Sequence, residues 1–170
     1  MDNDYVIFDV ETTGMKPEEG HAIVELAAQR VRGREVVDTF QSIVNPGRKV
    51  DPEAAAVHGI TDTVIAREGK PLIEVIPAFM LFAEGSTLVA HNIRFDLGFL
   101  NSHLKALGLP PMPNPTLDTL EIARQKVLVA SYALGYLAKH FQIPQPTAHR
   151  ALADVEVTRE LLFKLLDIKK

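Results

Sequence analysis

Three apolar runs of strand length follow one another in the first third of the chain, with no helical period between them. They are Tyr5–Val10 (YVIFDV), Ile23–Val31 (IVELAAQRV) and Glu35–Val44 (EVVDTFQSIV). Turn formers bound them: Thr12-Thr13-Gly14 after the first, and Arg32-Gly33-Arg34 between the second and third. The short connection with its glycine predicts a hairpin, so the three runs together predict an antiparallel meander. That start commits the chain to a sheet, and the downstream elements decide which kind.

Beyond the meander the period becomes helical. Asp51-Pro52 opens a short helix through Val57, stopped by Gly59. Pro71–Glu84 carries Leu72, Val75, Ile76, Phe79 and Met80 at i, i+3, i+4 spacing, with Gly85 as terminator. Ser86–Ala90 (STLVA) is a short buried strand, and Arg94–Leu107 is a helix ended by Gly108. After proline-rich Pro110–Pro115 come a short strand, Thr116-Leu117-Asp118, and three further helical segments, the last from about Ala151 to Ile168. A meander followed by α-β-α-β-α is an α/β fold with a mixed sheet. With 170 residues and no repeat, low-complexity tract or Gly/Ser linker, one domain over residues 1–170 is expected.

Composition removes several function classes. The absence of cysteine excludes disulfide frameworks, thiolate metal sites and a cysteine nucleophile. No apolar stretch approaches the length of a membrane span, and the acidic start MDNDYVIF lacks the basic head of a signal peptide. A cytoplasmic protein with no membrane partner is expected. Lys and Arg number 18 against 22 Asp and Glu, a net charge of −4, so the basic stripe of a duplex-coating protein is missing.

Three clusters carry chemistry. In Asp9-Val10-Glu11 the two carboxylates share one face of a strand, about 7 Å apart along it. At the end of an apolar strand that pairing is costly unless a cation compensates, and Mg²⁺ and Mn²⁺ prefer such oxygen ligands. The second cluster, His91-Asn92-Ile93-Arg94-Phe95-Asp96, sits where a strand hands over to a helix, the end at which α/β proteins place their sites. In the third, His149-Arg150-Ala151-Leu152-Ala153-Asp154, one continuous helix would set His149 and Asp154 about 140° apart. A helix beginning just after His149 lets the histidine swing over the face that bears Asp154. Each residue alone also has a plain structural explanation. Asp9 and Glu11 could point into solvent, Asp96 could serve a helix N-terminus, His149 could be an exposed loop histidine, and Asp154 could be one charge on a polar helix edge.

Together, the clusters resemble the DEDDh group of 3′–5′ exonucleases, which includes the proofreading epsilon subunit of bacterial DNA polymerase III. The motif Asp-x-Glu-Thr-Thr-Gly stands here as Asp9–Gly14 and His-Asn-x-x-Phe-Asp as His91–Asp96. His followed by Asp after four residues stands as His149–Asp154, and Arg150 excludes the related group with tyrosine at that position. Val57-His58-Gly59-Ile60-Thr61 also matches the pattern between the first two motifs. The resemblance runs from Tyr5 to the final helix.

It implies a ribonuclease H-like α/β fold, a mixed five-stranded sheet (antiparallel meander, then parallel strands) flanked by helices. It implies two divalent cations, Mg²⁺ or Mn²⁺. Asp9, Glu11 and Asp154 would hold the first, Asp9 would bridge to the second, and Asp96 would act mainly through metal-bound water. His149 becomes the general base, since histidine titrates closest to neutral pH. Gly14, Thr12 and Thr13 would receive the terminal nucleotide. His58 and Phe95 would pack beside unstacked bases, although Phe95 could equally be core beside Phe99 and His58 a helix C-terminal histidine. His91 and Asn92 would orient a phosphate or a metal-bound water, or only cap a helix. The implied reaction is release of nucleoside 5′-monophosphates from 3′ ends of single-stranded or frayed DNA, in proofreading during replication or repair. An exoribonuclease of the same chemistry, or a non-catalytic polymerase-binding module of the same fold, are the alternatives. Single-stranded 3′ ends are the expected partner, DNA ahead of RNA. A DNA polymerase stays open as a second, although nothing after the last helix resembles the tail by which epsilon subunits join theirs. Two divalent cations would balance the formal charge of −4.

Overall fold

The computed structural model describes residues 4–145 and 149–169. Its meander consists of β1 (Asp4–Thr12), β2 (Ile23–Arg32) and β3 (Glu35–Asn45), each antiparallel to the next. Gly33 takes φ +61° in the β2–β3 turn, the left-handed backbone that glycine adopts without steric cost. Then come α1 (Pro52–His58), α2 (Asp62–Glu68), β4 (Lys70–Pro71), α3 (Leu72–Phe82), β5 (Thr87–Ala90) and α4 (Ile93–Ala106). The chain continues through β6 (Thr116–Asp118), α5 (Thr119–Lys126), α6 (Leu134–His140) and α7 (Ala151–Asp167). The sheet order is β4-β3-β2-β1-β5-β6, with β5 parallel to β1 and β6 parallel to β5.

The mixed α/β sheet is as expected, but it has six strands rather than five. The extra strand, β4, is two residues long and runs parallel to Val44 and Asn45 at the edge of β3. Two residues carry no alternation, and Pro71 has no N–H to offer a ladder, so local pattern could not announce it. Helix α2 was also unannounced. Its seven residues make only about two turns, and its start is fixed by the Thr61 hydroxyl accepting from Val64 N–H at 3.4 Å. Thr12 belongs to β1 rather than to the turn after it. Pairing with β2 carries the strand on, Glu11 lying opposite Glu25 and Thr12, after a register shift, opposite Ile23.

Alternation along β1 sorts its side chains between two layers. Val6, Phe8 and Val10 pack with Val75, Ile76 and Phe79 of α3 and Phe99, Leu100 and Leu104 of α4. Tyr5 and Ile7 face Val155, Leu162 and Phe163 of α7. Asp9 and Glu11 continue that second row, which aims them at the first turn of α7. No helix among the described residues is long and apolar enough to cross a membrane.

Candidate active site

The first turn of α7 brings Asp154 to the carboxylates of β1. Asp9, Glu11 and Asp154 each offer an oxygen, and these atoms all lie within 4.8 Å of one another. Asp96 approaches β1 from α4 and is only 3% exposed. Its Oδ1 accepts from Val10 N–H at 3.1 Å, which ties the second cluster to the backbone between Asp9 and Glu11. Because α7 begins at Ala151, His149 stands on the entering turn, exposed, with φ +61°.

Burial is the first cause that raises the carboxyl pKa values here, and mutual repulsion is the second. Asp9 is pushed well above the usual carboxylate range by burial, then by the charges of Asp96, Glu11 and Asp154. Glu11 is pushed up to about 8 by burial, then by Asp154 and Glu25, with Arg150 opposing. Burial also raises Asp96 against the pull of the Val10 N–H. Asp154 is raised by burial as well, while the ring and backbone of His149 favour its ionised form. Four carboxyls that resist ionisation together are a site short of positive charge. Converging hard oxygen donors are what Mg²⁺ and Mn²⁺ select, so Asp9, Glu11 and Asp154, with Asp96 beside them, fit the implied cations.

A cavity next to this cluster is lined by Glu11, Thr12, Gly14, His58 and Phe95, all singled out from the sequence, by Val57 of the matched segment, and also by Met15 and His21, which were not. The Thr12 hydroxyl donates to Gly14 C=O at 2.6 Å. Phe95 both faces the cavity and packs on Phe99, with centroids 5.1 Å apart. His58 has both ring nitrogens engaged: Nδ1 accepts from Ile60 N–H and Nε2 donates to Thr12 C=O, each at 3.0 Å. It is a buried pin between α1 and the end of β1, held neutral by burial, and only its ring surface meets the cavity. At Gly14 a Cβ would overlap the His21 ring, so the glycine is required by a packing contact.

Thr13, His91 and Asn92 do not line that cavity. Thr13 is fully buried, and its hydroxyl accepts from Ala22 N–H at 3.0 Å and pairs with His21 Nδ1 at 3.1 Å. His91 Nε2 donates to Tyr132 C=O at 2.8 Å, and Nδ1 pairs with the Thr119 hydroxyl at 2.9 Å. Asn92 takes φ +68° and its side chain makes no capping bond, while its N–H donates to Asp118 Oδ1 at 2.9 Å. Both residues therefore shape the β5–α4 turn that delivers Asp96.

Glu25 belongs to none of the three motif clusters, and sequence reasoning missed it. It is fully buried on β2, directly across from Glu11. Its carboxylate accepts from Arg150 Nε (3.1 Å) and Nη2 (2.9 Å), Ala151 N–H (3.1 Å) and Gln41 Nε2 (3.0 Å). Burial alone would raise its pKa, but the bonds from Arg150, Gln41 and Ala151 hold it below the usual value. A signal was available, since a lone charge in the apolar run IVELAA needs a buried partner.

The profile of the RNase T exonuclease family matches residues 6–162. The PolC-type DNA polymerase III of Lactococcus lactis subsp. lactis is 40% identical over 164 residues, covering 96% of this chain and 10% of the polymerase. That of Caldanaerobacter subterraneus subsp. tengcongensis is 37% identical over 169 residues, 98% of this chain and 12% of the polymerase. The chain thus spans about a tenth of the length of these relatives. Among solved structures, exonuclease X in complex with 5′ overhanging duplex DNA is 31% identical. It matches with a TM-score of 0.77 over 96% of this chain and 91% of that one. E. coli exonuclease I in complex with a dT13 oligonucleotide shares the fold, with a TM-score of 0.87 at 19% identity over 98% of this chain and 41% of that one. The clustered carboxylates at the end of β1 therefore sit in a chain that belongs to the RNase T family of exonucleases.

Proposed function

We propose that the chain, as one catalytic domain over residues 1–170, is a metal-dependent 3′–5′ exonuclease. It removes nucleoside 5′-monophosphates from single-stranded or frayed DNA ends, and its role is proofreading in the cytoplasm, beside or within a DNA polymerase. The observation that carries this is the set of three carboxylate oxygens within 4.8 Å, flanked by Asp96 and by an exposed histidine. The polymerase role draws its support from the PolC-type relatives, and the DNA preference from exonuclease X in complex with 5′ overhanging duplex DNA.

Asp9, Glu11 and Asp154, with Asp96, would hold two divalent cations, Mg²⁺ or Mn²⁺. Bound there, such ions neutralise the phosphodiester's charge and make a nucleophile available near neutral pH. The residues of the chain do the rest. His149, exposed on its turn, takes the proton of the attacking water on a ring nitrogen. Arg150 beside it cannot, because a guanidinium stays charged. Thr12 and Gly14 form the wall against which the terminal nucleotide lies, and the rings of Phe95 and His58 offer its base an apolar surface.

The test compares 3′-labelled single-stranded DNA, matched RNA and mispaired duplex ends, with Mg²⁺ and with Mn²⁺. Mononucleotide release should stop in Asp9→Ala and in excess EDTA. Full activity in either would falsify the catalytic reading, and a strong preference for RNA would remove the proofreading role.

A further inference from the structure

Glu25 is the most deeply buried acid among the described residues, and no catalytic role uses it. Its four donors are all groups of the chain: the Arg150 fork, the first N–H of α7 and Gln41. Three of these belong to Arg150 and Ala151, immediately after His149. Arg150 is the N-cap of α7 but makes no side-chain capping bond, so the Glu25 carboxylate supplies the acceptor that Ala151 N–H would otherwise lack.

His149 itself takes φ +61°, a left-handed conformation that a residue with a Cβ keeps only where its surroundings impose it. On its C-terminal side, Arg150 returns to extended backbone and its C=O accepts Asp154 N–H at 3.0 Å. Taking Glu25 out of water costs about as much as its attraction to the partly exposed Arg150 returns, so stability alone gives little reason for the pair. What a two-pronged guanidinium contact supplies is direction.

We propose that Glu25 is the positioning residue for His149: by clamping Arg150 and Ala151 N–H it holds the left-handed turn that sets the imidazole beside Asp154. The inference rests on the exonuclease function proposed above, in which His149 is the base. It places a residue of β2, outside the three motif clusters, in control of proton transfer.

The experiment uses the whole chain on 3′-labelled single-stranded DNA with excess Mg²⁺. Glu25→Gln keeps the side chain's shape and is expected to lower kcat about 10- to 100-fold while KM moves by less than about twofold. Arg150→Lys keeps the charge, loses the fork and should change kcat in the same direction, and it replaces Glu25→Gln if that variant does not fold. The His149→Ala background separates positioning from packing. A residue that acts through His149 loses its effect there, so Glu25→Gln with His149→Ala should be as active as His149→Ala alone. Multiplying effects, or a folded Glu25→Gln whose kcat stays within about twofold of wild type, overturn the proposal. If wild type releases no mononucleotide, it is the exonuclease function that fails. Positioning is then decided by the NMR resonances of the His149 ring: a shift or broadening in Glu25→Gln supports it, and unchanged resonances overturn it.

Discussion

Replacing Glu11 by glutamine should make the metal-free protein more stable while destroying its cation site, and the gain should depend on pH in a defined way. Glu11 titrates at 4.5 in an unperturbed chain and is pushed up to about 8 in the folded protein, first by burial and then by Asp154 and Glu25. An acid with the higher pKa in the folded state binds its proton more tightly there. The wild type is therefore at full strength below pH 4.5, weakens as pH rises and has lost the whole contribution above about pH 8. The interval from 4.5 to about 8 corresponds to about 5 kcal/mol as an upper bound. Repulsion shared with Asp154 and Glu25 leaves about 2–3 kcal/mol as the gain for Glu11→Gln alone. At about 2–4 °C per kcal/mol for a domain of this size, Tm should rise by roughly 4–12 °C. The assay is thermal melting of both proteins in chelator, below pH 4.5 and above pH 8. Excess Mn²⁺ above pH 8 should reverse the order, because only the wild type keeps all three ligands and gains stability by binding. Equal melting of the two proteins above pH 8 in chelator, or the same difference at both ends of the pH range, would refute the electrostatic reasoning.

His149→Ala should lower kcat about 100- to 10,000-fold with Mn²⁺ affinity unchanged, measured by steady-state kinetics and titration calorimetry. Gly14→Ala should destabilise the fold by about 1–3 kcal/mol because its Cβ meets the His21 ring. Urea unfolding of Gly14→Ala with His21→Ala should recover part of that loss, and no recovery would mean that another neighbour is being crowded. His58→Ala leaves Ile60 N–H and Thr12 C=O without their partner, so urea unfolding should show a loss of about 2–4 kcal/mol.

How far the sequence speaks depends on whether a feature is local. The three strands of the meander are legible because apolar runs and a Gly33 turn are properties of neighbouring residues. Lys70–Pro71 is not, because two residues become a strand only by lying against Val44 and Asn45. The four carboxylates and His149 are legible through motif spacing, and the start of α7 at Ala151 places the histidine on the entering turn. The substrate side is less so. Thr13 and His91 lie in motifs, yet their side chains serve hydrogen bonds to His21, Thr119 and Tyr132. Glu25 is legible as a lone charge in the apolar run IVELAA, but its partner is not, since Arg150 lies 125 positions away. Spacing says which residues travel together, and only packing says which of them face the cavity.

The carboxylate cluster joins the first strand to the last helix described, Asp9 and Glu11 on β1 and Asp154 on α7. A ribosome delivers these two ends in order, so Asp9 and Glu11 emerge long before Asp154 does. Until α7 docks on Tyr5, Ile7 and Val31, a growing chain holds Asp9 and Glu11 without the third carboxylate of the cluster. Domains fold as units once enough of the chain is available. The carboxylate cluster is therefore incomplete until α7 has been made and has closed over the sheet.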